Sequence, residues 1–209
     1  MKLRGKPWYQ YLWLFSILYF SLGFFNILFA WLGMICFLTP LAFALVRGDK
    51  GYCNRYCDRG QLFQLLGIRI GLSARHELPA WVRSRTFRYG FMAFFLTMFG
   101  NVFFVSVQVA HGAPLQESVT LFWLFDVPWG WAYGGGSAPW FAQFAFGFYS
   151  LMLTSAIIGA LMMLRYRPRA WCVACPMGTM TQMICRAKAP QEAHGDRQTK
   201  GIQEICDNC

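Results

Sequence analysis

The sequence predicts an all-α membrane protein with four transmembrane helices, both termini cytoplasmic and cysteine-bearing cytoplasmic loops. Three observations predict this fold: 56% of the 209 residues are hydrophobic and only 13% charged, three long stretches carry no charge at all, and the basic residues lie between and outside them. A soluble domain usually has about 25% charged residues. The composition therefore argues against an ordinary soluble enzyme, a disordered chain and a nucleic-acid-binding module.

The charge-free stretches are residues 7–46, 89–116 and 127–164. A hydrocarbon core of about 30 Å requires roughly 20 helical residues, so the second and third stretches predict spans at residues 89–111 and 140–164. The first stretch is long enough for two short spans that turn near residues 21–26. Its alternative is a single span with an extension along the membrane interface.

The distribution of basic residues favours the two-span alternative. With two spans, all 19 lysines and arginines lie on one side: three before the first stretch, nine in residues 47–88 and seven after Leu164. The only charged residues on the opposite side are the acids Glu117 and Asp126. Cytoplasmic loops carry the excess of Lys and Arg, so both termini are expected inside. Membrane topology then explains most of the +10 net charge. The alternative explanation is a surface that binds an acidic partner. No nucleic-acid partner is expected.

This topology predicts two regions: a membrane domain at residues 1–186 and a polar cytoplasmic tail at residues 187–209. Seven of the eight cysteines then fall in cytoplasmic segments. A reducing cytosol disfavours disulfides, and clustered cysteines there are more often metal ligands or redox-active thiols.

Two cysteine pairs follow spans that end on the same side. Cys53 and Cys57 lie in CNRYCDRG after the second span, and Cys172 and Cys175 lie in WCVACPMG after the fourth. Packing of antiparallel helices could bring the four thiolates around one point. Four thiolates accept zinc or an iron–sulfur cluster.

The neighbours of the pairs favour a cluster. Pro176 directly after Cys175 is typical of bacterial cluster-binding runs. Arg55 and Arg59 flank the first pair, and positive charge there would stabilise thiolates and offset a negatively charged cluster. Zinc and a redox-active dithiol remain alternatives at this stage.

The two motifs resemble the paired cysteine motifs of the membrane-embedded polyferredoxins. This family of [4Fe-4S]-binding membrane proteins includes the iron–sulfur membrane subunits of periplasmic nitrate reductase and nitrous oxide reductase systems. The resemblance implies that Cys53, Cys57, Cys172 and Cys175 ligate a [4Fe-4S] cluster in a bacterial or archaeal inner membrane, within a larger complex. The sequence departs from the family pattern twice: Asp58 stands where proline is usual, and two residues instead of three separate the second pair.

The remaining cysteines carry weaker expectations. Cys206 and Cys209 resemble the opening of a ferredoxin run, and together with Cys185 they suggest a second iron–sulfur centre that needs a further ligand. Cys185 would lie about 15 Å along a helix from Cys175, too far to share the first cluster. Cys36 is expected to be a small hydrophobic residue buried in its span.

Three further segments carry expectations. The loop between the last two spans is expected to form an aromatic belt, with a quinone pocket near its acids Glu117 and Asp126 as the alternative. His111 is expected at the interface, with a quinone contact as its alternative role. Residues 76–88 alternate basic and apolar residues, which predicts an amphipathic helix on an anionic leaflet.

These features predict an electron-transfer protein that relays electrons between a redox partner protein and a membrane acceptor, either quinone or another subunit. No nucleophile–base pair or phosphate-binding glycine loop is evident, so no catalytic residue is expected on this chain. Two alternatives remain: a thiol–disulfide relay through Cys172 and Cys175, and a regulatory or assembly factor that uses the cluster as a sensor.

Overall fold

The computed structural model of the chain describes residues 11–48, 52–74, 76–122 and 124–192, and it is mostly helical. The described elements are α1 (Trp13–Phe25), α2 (Leu32–Arg47), α3 (Asp58–Gln64), α4 (Ala80–Arg83), α5 (Arg85–Ala110), β1 (Ser118–Leu121), β2 (Phe125–Pro128), α6 (Pro139–Arg165), α7 (Ala170–Ala174) and α8 (Pro176–Glu192). Short 3₁₀ turns lie at Ile27–Trp31 and Gly130–Ala132, and π-helical turns at Tyr52–Tyr56 and Leu65–Arg69.

Three helical segments of the described chain are long and apolar enough to cross a membrane: Ile27–Arg47, Arg85–Ala110 and Pro139–Arg165. The last two match the predicted spans to within four residues at each end. The helix α5 begins before its charge-free stretch because the Ser84 hydroxyl accepts the Phe87 N–H at 3.2 Å and caps it.

The first apolar stretch is broken inside the predicted turn. Asn26 has extended backbone angles (φ −145°, ψ 115°), and its side chain accepts the Leu28 N–H at 3.0 Å. Helices α1 and α2 run in opposite directions around this break. The helix α1 has 13 residues, about 20 Å, and is shorter than the three segments of spanning length.

Contacts at the two ends of α1 fix its direction. Near its start, the Ser16 hydroxyl donates to the Asp58 carboxylate beside the first cysteine pair. Near its end, the Phe24 ring meets the Trp129 ring with centroids 5.2 Å apart. We call the first end of the bundle the cysteine end and the other, which carries β1 and β2, the hairpin end.

Helix α6 is the central helix. Half of its most apolar 18-residue window is buried, against 17% for α5. Aromatic rings of α2, α5 and α6 form the core, where Phe37, Phe99 and Phe148 lie in mutual ring contact. Exposed Phe103 and Phe104 cover the opposite face of α5, which suits lipid contact.

The segment at the hairpin end folds into a structure that the sequence did not predict. Strands β1 and β2 pair antiparallel, with Val119 opposite Val127, and Phe122 takes a positive φ of 53° at the turn. Val119 is fully buried against the bundle. The backbone N–H groups of Gln116 and Thr120 donate to Gln143 and Ser150, so the hairpin lies along the side of the first half of α6.

The predicted amphipathic helix over residues 76–88 is wrong in its extent. Only Ala80–Arg83 is helical before α5 begins. Pro79 and Ser84 both have extended backbone angles, and a proline also restrains the residue before it from helix. His76 instead forms an isolated bridge to Tyr166.

The predicted boundary between membrane domain and tail, at residues 186 and 187, falls inside α8. The rest of the tail, including Cys206 and Cys209, lies outside the described residues.

Candidate functional site

The four cysteines of the two predicted pairs line a single cavity of about 90 Å³ at the cysteine end. Cys53 lies in the turn after α2, and Cys57 directly precedes α3. Cys172 lies in α7, and Cys175 separates α7 from α8. The fold thus brings together two pairs that are more than a hundred residues apart in sequence.

Each second cysteine is followed by a helix whose first turn folds back onto its sulfur. The Cys57 thiol accepts the N–H of Gly60, and the Cys175 thiol accepts the N–H groups of Gly178 and Met177. The glycine three residues after each second cysteine therefore has the same role in both motifs.

Gly60 also shows how close the two motifs lie. A Cβ at this position would be 3.6 Å from the Cys57 Sγ and 3.9 Å from the Cys172 Sγ. Sulfurs of both pairs therefore flank one point of the α3 backbone, which closes the cavity on that side.

The four cysteines of the cavity are half-buried. Burial raises the pKa of Cys57 well above its usual range; nearby Asp58 and Cys172 raise it further, and the Gly60 N–H opposes them. Burial likewise raises the pKa of Cys175, against the N–H groups of Gly178 and Met177 and the positive charge of Arg59. Thiolates in this cavity thus require additional positive charge, which a bound metal centre would supply.

Two charged residues of the first motif point into the membrane part of the protein. The Arg59 guanidinium donates to the Ser155 hydroxyl at 2.7 Å and to the Met152 sulfur at 2.6 Å on α6. Asp58 accepts the Ser16 hydroxyl of α1 at 2.7 Å. Helices α1 and α6 therefore fix the position of α3 through polar contacts.

Cys36 is a cavity residue that sequence reasoning missed. It is half-buried, lines the same cavity, and its thiol donates to Asp58 with a sulfur–oxygen distance of 3.8 Å. The expectation that Cys36 is a small hydrophobic residue buried in its span was wrong. Helix α2 is apolar on every side. Its sequence therefore carries no signal of which face meets α3.

Helix α8 adds one polar contact and one separate cysteine. The Thr181 hydroxyl lies 3.8 Å from the Cys53 sulfur. Cys185 is fully buried in the same helix, ten residues and about 15 Å beyond Cys175, and does not line the cavity.

Within the described residues, no group of three or more His, Cys, Asp or Glu side chains is arranged to hold a metal ion. No protein-family model, curated protein or solved structure matches this chain. The function is therefore argued below from the cavity and its surroundings.

The hairpin end contains a second cavity, of about 70 Å³, between α5, α6 and β1. Polar side chains of Asn101, Gln143 and Ser150 line it. Exposed His111 and Glu117, which the sequence suggested for quinone contact, do not line this cavity. Asp126 is also exposed and accepts the Thr120 hydroxyl across the strand pair at 2.7 Å.

Proposed function

We propose that this chain is a membrane electron-transfer protein that holds a [4Fe-4S] cluster on Cys53, Cys57, Cys172 and Cys175. One observation carries the proposal: the four thiols of two distant motifs line the same cavity at one end of an apolar helical bundle. The resemblance of both motifs to those of the membrane-embedded polyferredoxins points the same way.

The donor set suits a cluster better than a single ion. Thiolates select soft metals such as zinc and iron–sulfur centres. A zinc ion needs its four sulfurs at about 2.3 Å from one point. A cubane cluster binds each cysteine to a different iron, so its sulfurs lie around a cavity, as these do.

When bound, such a cluster accepts and releases single electrons. The chain's own residues provide its environment. The N–H groups of Gly60 and Gly178 stabilise negative charge on sulfur, and Arg59 adds a positive charge. The side chains of Phe37, Met152 and Trp171 also line the cavity and give it apolar walls. Hydrogen bonds to sulfur, charge and burial are the quantities that set a cluster's potential.

The proposal includes four spans with both termini on the cytoplasmic side of an inner membrane. The opposite directions of α1 and α2 and the placement of all 19 basic residues support it. The cysteine cavity then faces the cytoplasm, where a redox partner protein docks. The acceptor or donor in the membrane is quinone or another subunit of a larger complex.

A second iron–sulfur centre on Cys185, Cys206 and Cys209 stays a prediction from the sequence. A thiol–disulfide relay through Cys172 and Cys175 fits the pKa of Cys175 less well. Reactive dithiols have a lowered pKa, whereas burial raises the pKa of Cys175.

The test is electron paramagnetic resonance of the reduced protein, purified without oxygen, together with an iron count. We expect about four irons per chain and a cluster signal that Cys57→Ser abolishes or alters. Cys36→Ser is the matched control, because Cys36 lines the same cavity but is not a proposed ligand, and it should retain the iron. Colourless protein with stoichiometric zinc, or equal iron loss in both variants, would overturn the proposal.

A further inference from the structure

A pocket lined by arginines lies between the start of α5 and the middle of α8. Its volume is about 30 Å³, and its walls are formed by Arg85, Arg88, Tyr89, Thr179, Gln182, Met183 and Arg186. The residues on α8 follow the spacing i, i+3, i+4, i+7 and so form one helix face. None of the lining residues belongs to the cysteine cavity.

Arg88 is the residue that points to a ligand. One of its terminal nitrogens donates to the Gln182 side chain, which is itself 6% exposed and fixes the guanidinium in place. The Nε of Arg88 is buried and has no hydrogen-bond partner among the described residues. A buried N–H of a charged group without an acceptor is costly, so an acceptor from beyond the described residues is expected here.

The charge around the pocket selects an anion. Three arginine side chains line it, and the lining residues include no Asp or Glu. Guanidinium groups match the oxygens of phosphate in a two-point geometry and remain charged at every physiological pH.

The position of the pocket places it where lipid headgroups lie. Arg85 is the first residue of the 26-residue apolar helix α5, so the pocket is at the membrane boundary of the cysteine end. Basic pockets between transmembrane helices at such a boundary are known to hold anionic headgroups.

We infer that this pocket binds one phosphate group, with the Arg88 Nε as a donor and Arg85 and Arg186 as neighbouring positive charges. The group belongs either to an anionic phospholipid or to free phosphate, and both offer the same tetrahedral oxygens. Binding there would hold α8 against α5. The inference is independent of the proposed function, since it concerns neither the cysteines nor a metal.

The lipid arm of the test uses the full chain in neutral detergent and native mass spectrometry. Equal amounts of phosphatidylglycerol and phosphatidylcholine are added, and the retention of one lipid molecule per chain is compared. We expect a preference for phosphatidylglycerol that falls about tenfold in Arg88→Gln, as the loss of a charge-assisted hydrogen bond implies. Arg83→Gln removes the same charge two residues before Arg85 but outside the pocket, and it should change the preference by less than about twofold.

The phosphate arm uses the same protein in phosphatidylcholine nanodiscs with inorganic phosphate or chloride at equal ionic strength. A melting temperature raised by phosphate, and no longer raised in Arg88→Gln, supports a free-phosphate source. A phosphatidylglycerol preference without this effect supports a lipid source. The inference fails if wild-type protein responds to neither ligand, a comparison that needs no variant to fold. It also fails if Arg83→Gln and Arg88→Gln reduce the preference for phosphatidylglycerol equally. The preference would then come from the overall positive charge of this end and not from the pocket.

Discussion

Two glycines determine how closely the backbone approaches the cavity sulfurs. Gly60 and Gly178 each follow the second cysteine of a pair by three residues and donate an N–H to its sulfur. The two motifs are therefore locally alike although their internal spacings differ. This likeness gives a physical reason for the repeated glycine, since a side chain at residue 60 would project toward sulfurs of both pairs.

Gly60→Ala should separate folding from cofactor retention. Its methyl group would lie 3.6 Å and 3.9 Å from the Cys57 and Cys172 sulfurs, which is ordinary contact when the cavity is empty but takes space between two proposed ligands. We expect the apo chain to fold and to lose most of its iron, measured as iron per chain after reconstitution. Gly90→Ala, where an added Cβ meets nothing within 4 Å, is the control and should keep its iron. Full iron loading in Gly60→Ala would contradict the proposed placement of the cluster.

Asp58 is the most informative charged residue near the cavity. It lies beside Cys57 and accepts hydrogen bonds from the Ser16 hydroxyl and the Cys36 thiol. Because reduction adds a negative charge to a cluster, a nearby carboxylate disfavours the reduced form.

Asp58→Asn should therefore raise the reduction potential, on the order of tens of millivolts. The amide oxygen can still accept the Ser16 hydroxyl, so the fold should persist. A redox titration followed by electron paramagnetic resonance measures the shift. Glu77→Gln, which removes an exposed carboxylate paired with Arg167, should leave the potential unchanged. A potential lowered by Asp58→Asn would show that the carboxylate does not act on the centre by its charge.

Close contact at small residues holds the helices of the bundle together. In lipid, helices gain little from burying apolar surface and associate mainly by tight packing, often at glycine. Gly147 of α6 illustrates this, since a Cβ there would be 2.6 Å from a methyl of Val102 on α5. Further along the same helix, a Cβ added at Gly159 would contact the Phe63 ring. This glycine therefore packs α6 against α3, the helix that follows Cys57.

Gly147→Ala should destabilise the folded protein by about 1–3 kcal/mol, the usual cost of overpacking a tight contact. The measurement is the midpoint of thermal or denaturant unfolding in detergent. Gly100→Ala lies on α5 in open space and should be neutral or slightly stabilising, because alanine favours helix over glycine. Equal effects of the two substitutions would mean that α5 and α6 do not meet at Gly147.

The elements differ in how well the sequence predicted them. Runs without charge located α5 and α6, and the polar Asn26 fell inside the predicted turn, because a missing charge or an isolated polar residue is a local signal. The face of α2 that carries Cys36 and the pairing of β1 with β2 were not predictable. Both depend on contacts with distant segments, and neither segment shows a distinct period within its uniformly apolar or aromatic neighbourhood.

At the scale of the whole molecule, the two ends of the helical bundle differ in charge. At the cysteine end, the long helix α5 begins at Arg85 and the long helix α6 ends at Arg165. The hairpin end carries Glu117 and Asp126, and the chain has no lysine or arginine from residue 89 to residue 164. A membrane protein whose two ends differ in this way has its basic end in the cytoplasm as a rule.

This asymmetry predicts the result of a topology experiment that also decides between three and four spans. A reporter that is fluorescent only in the cytoplasm should be active when fused at either terminus and inactive when inserted at Gly135, in the exposed segment between β2 and α6. Three spans would place the termini on opposite sides, because an odd number of crossings reverses the chain. An inactive N-terminal fusion beside an active C-terminal one would therefore show that α1 does not cross. An active reporter at Gly135 would place the cysteine end outside the cytoplasm, where a cluster could not be reached by a cytoplasmic partner.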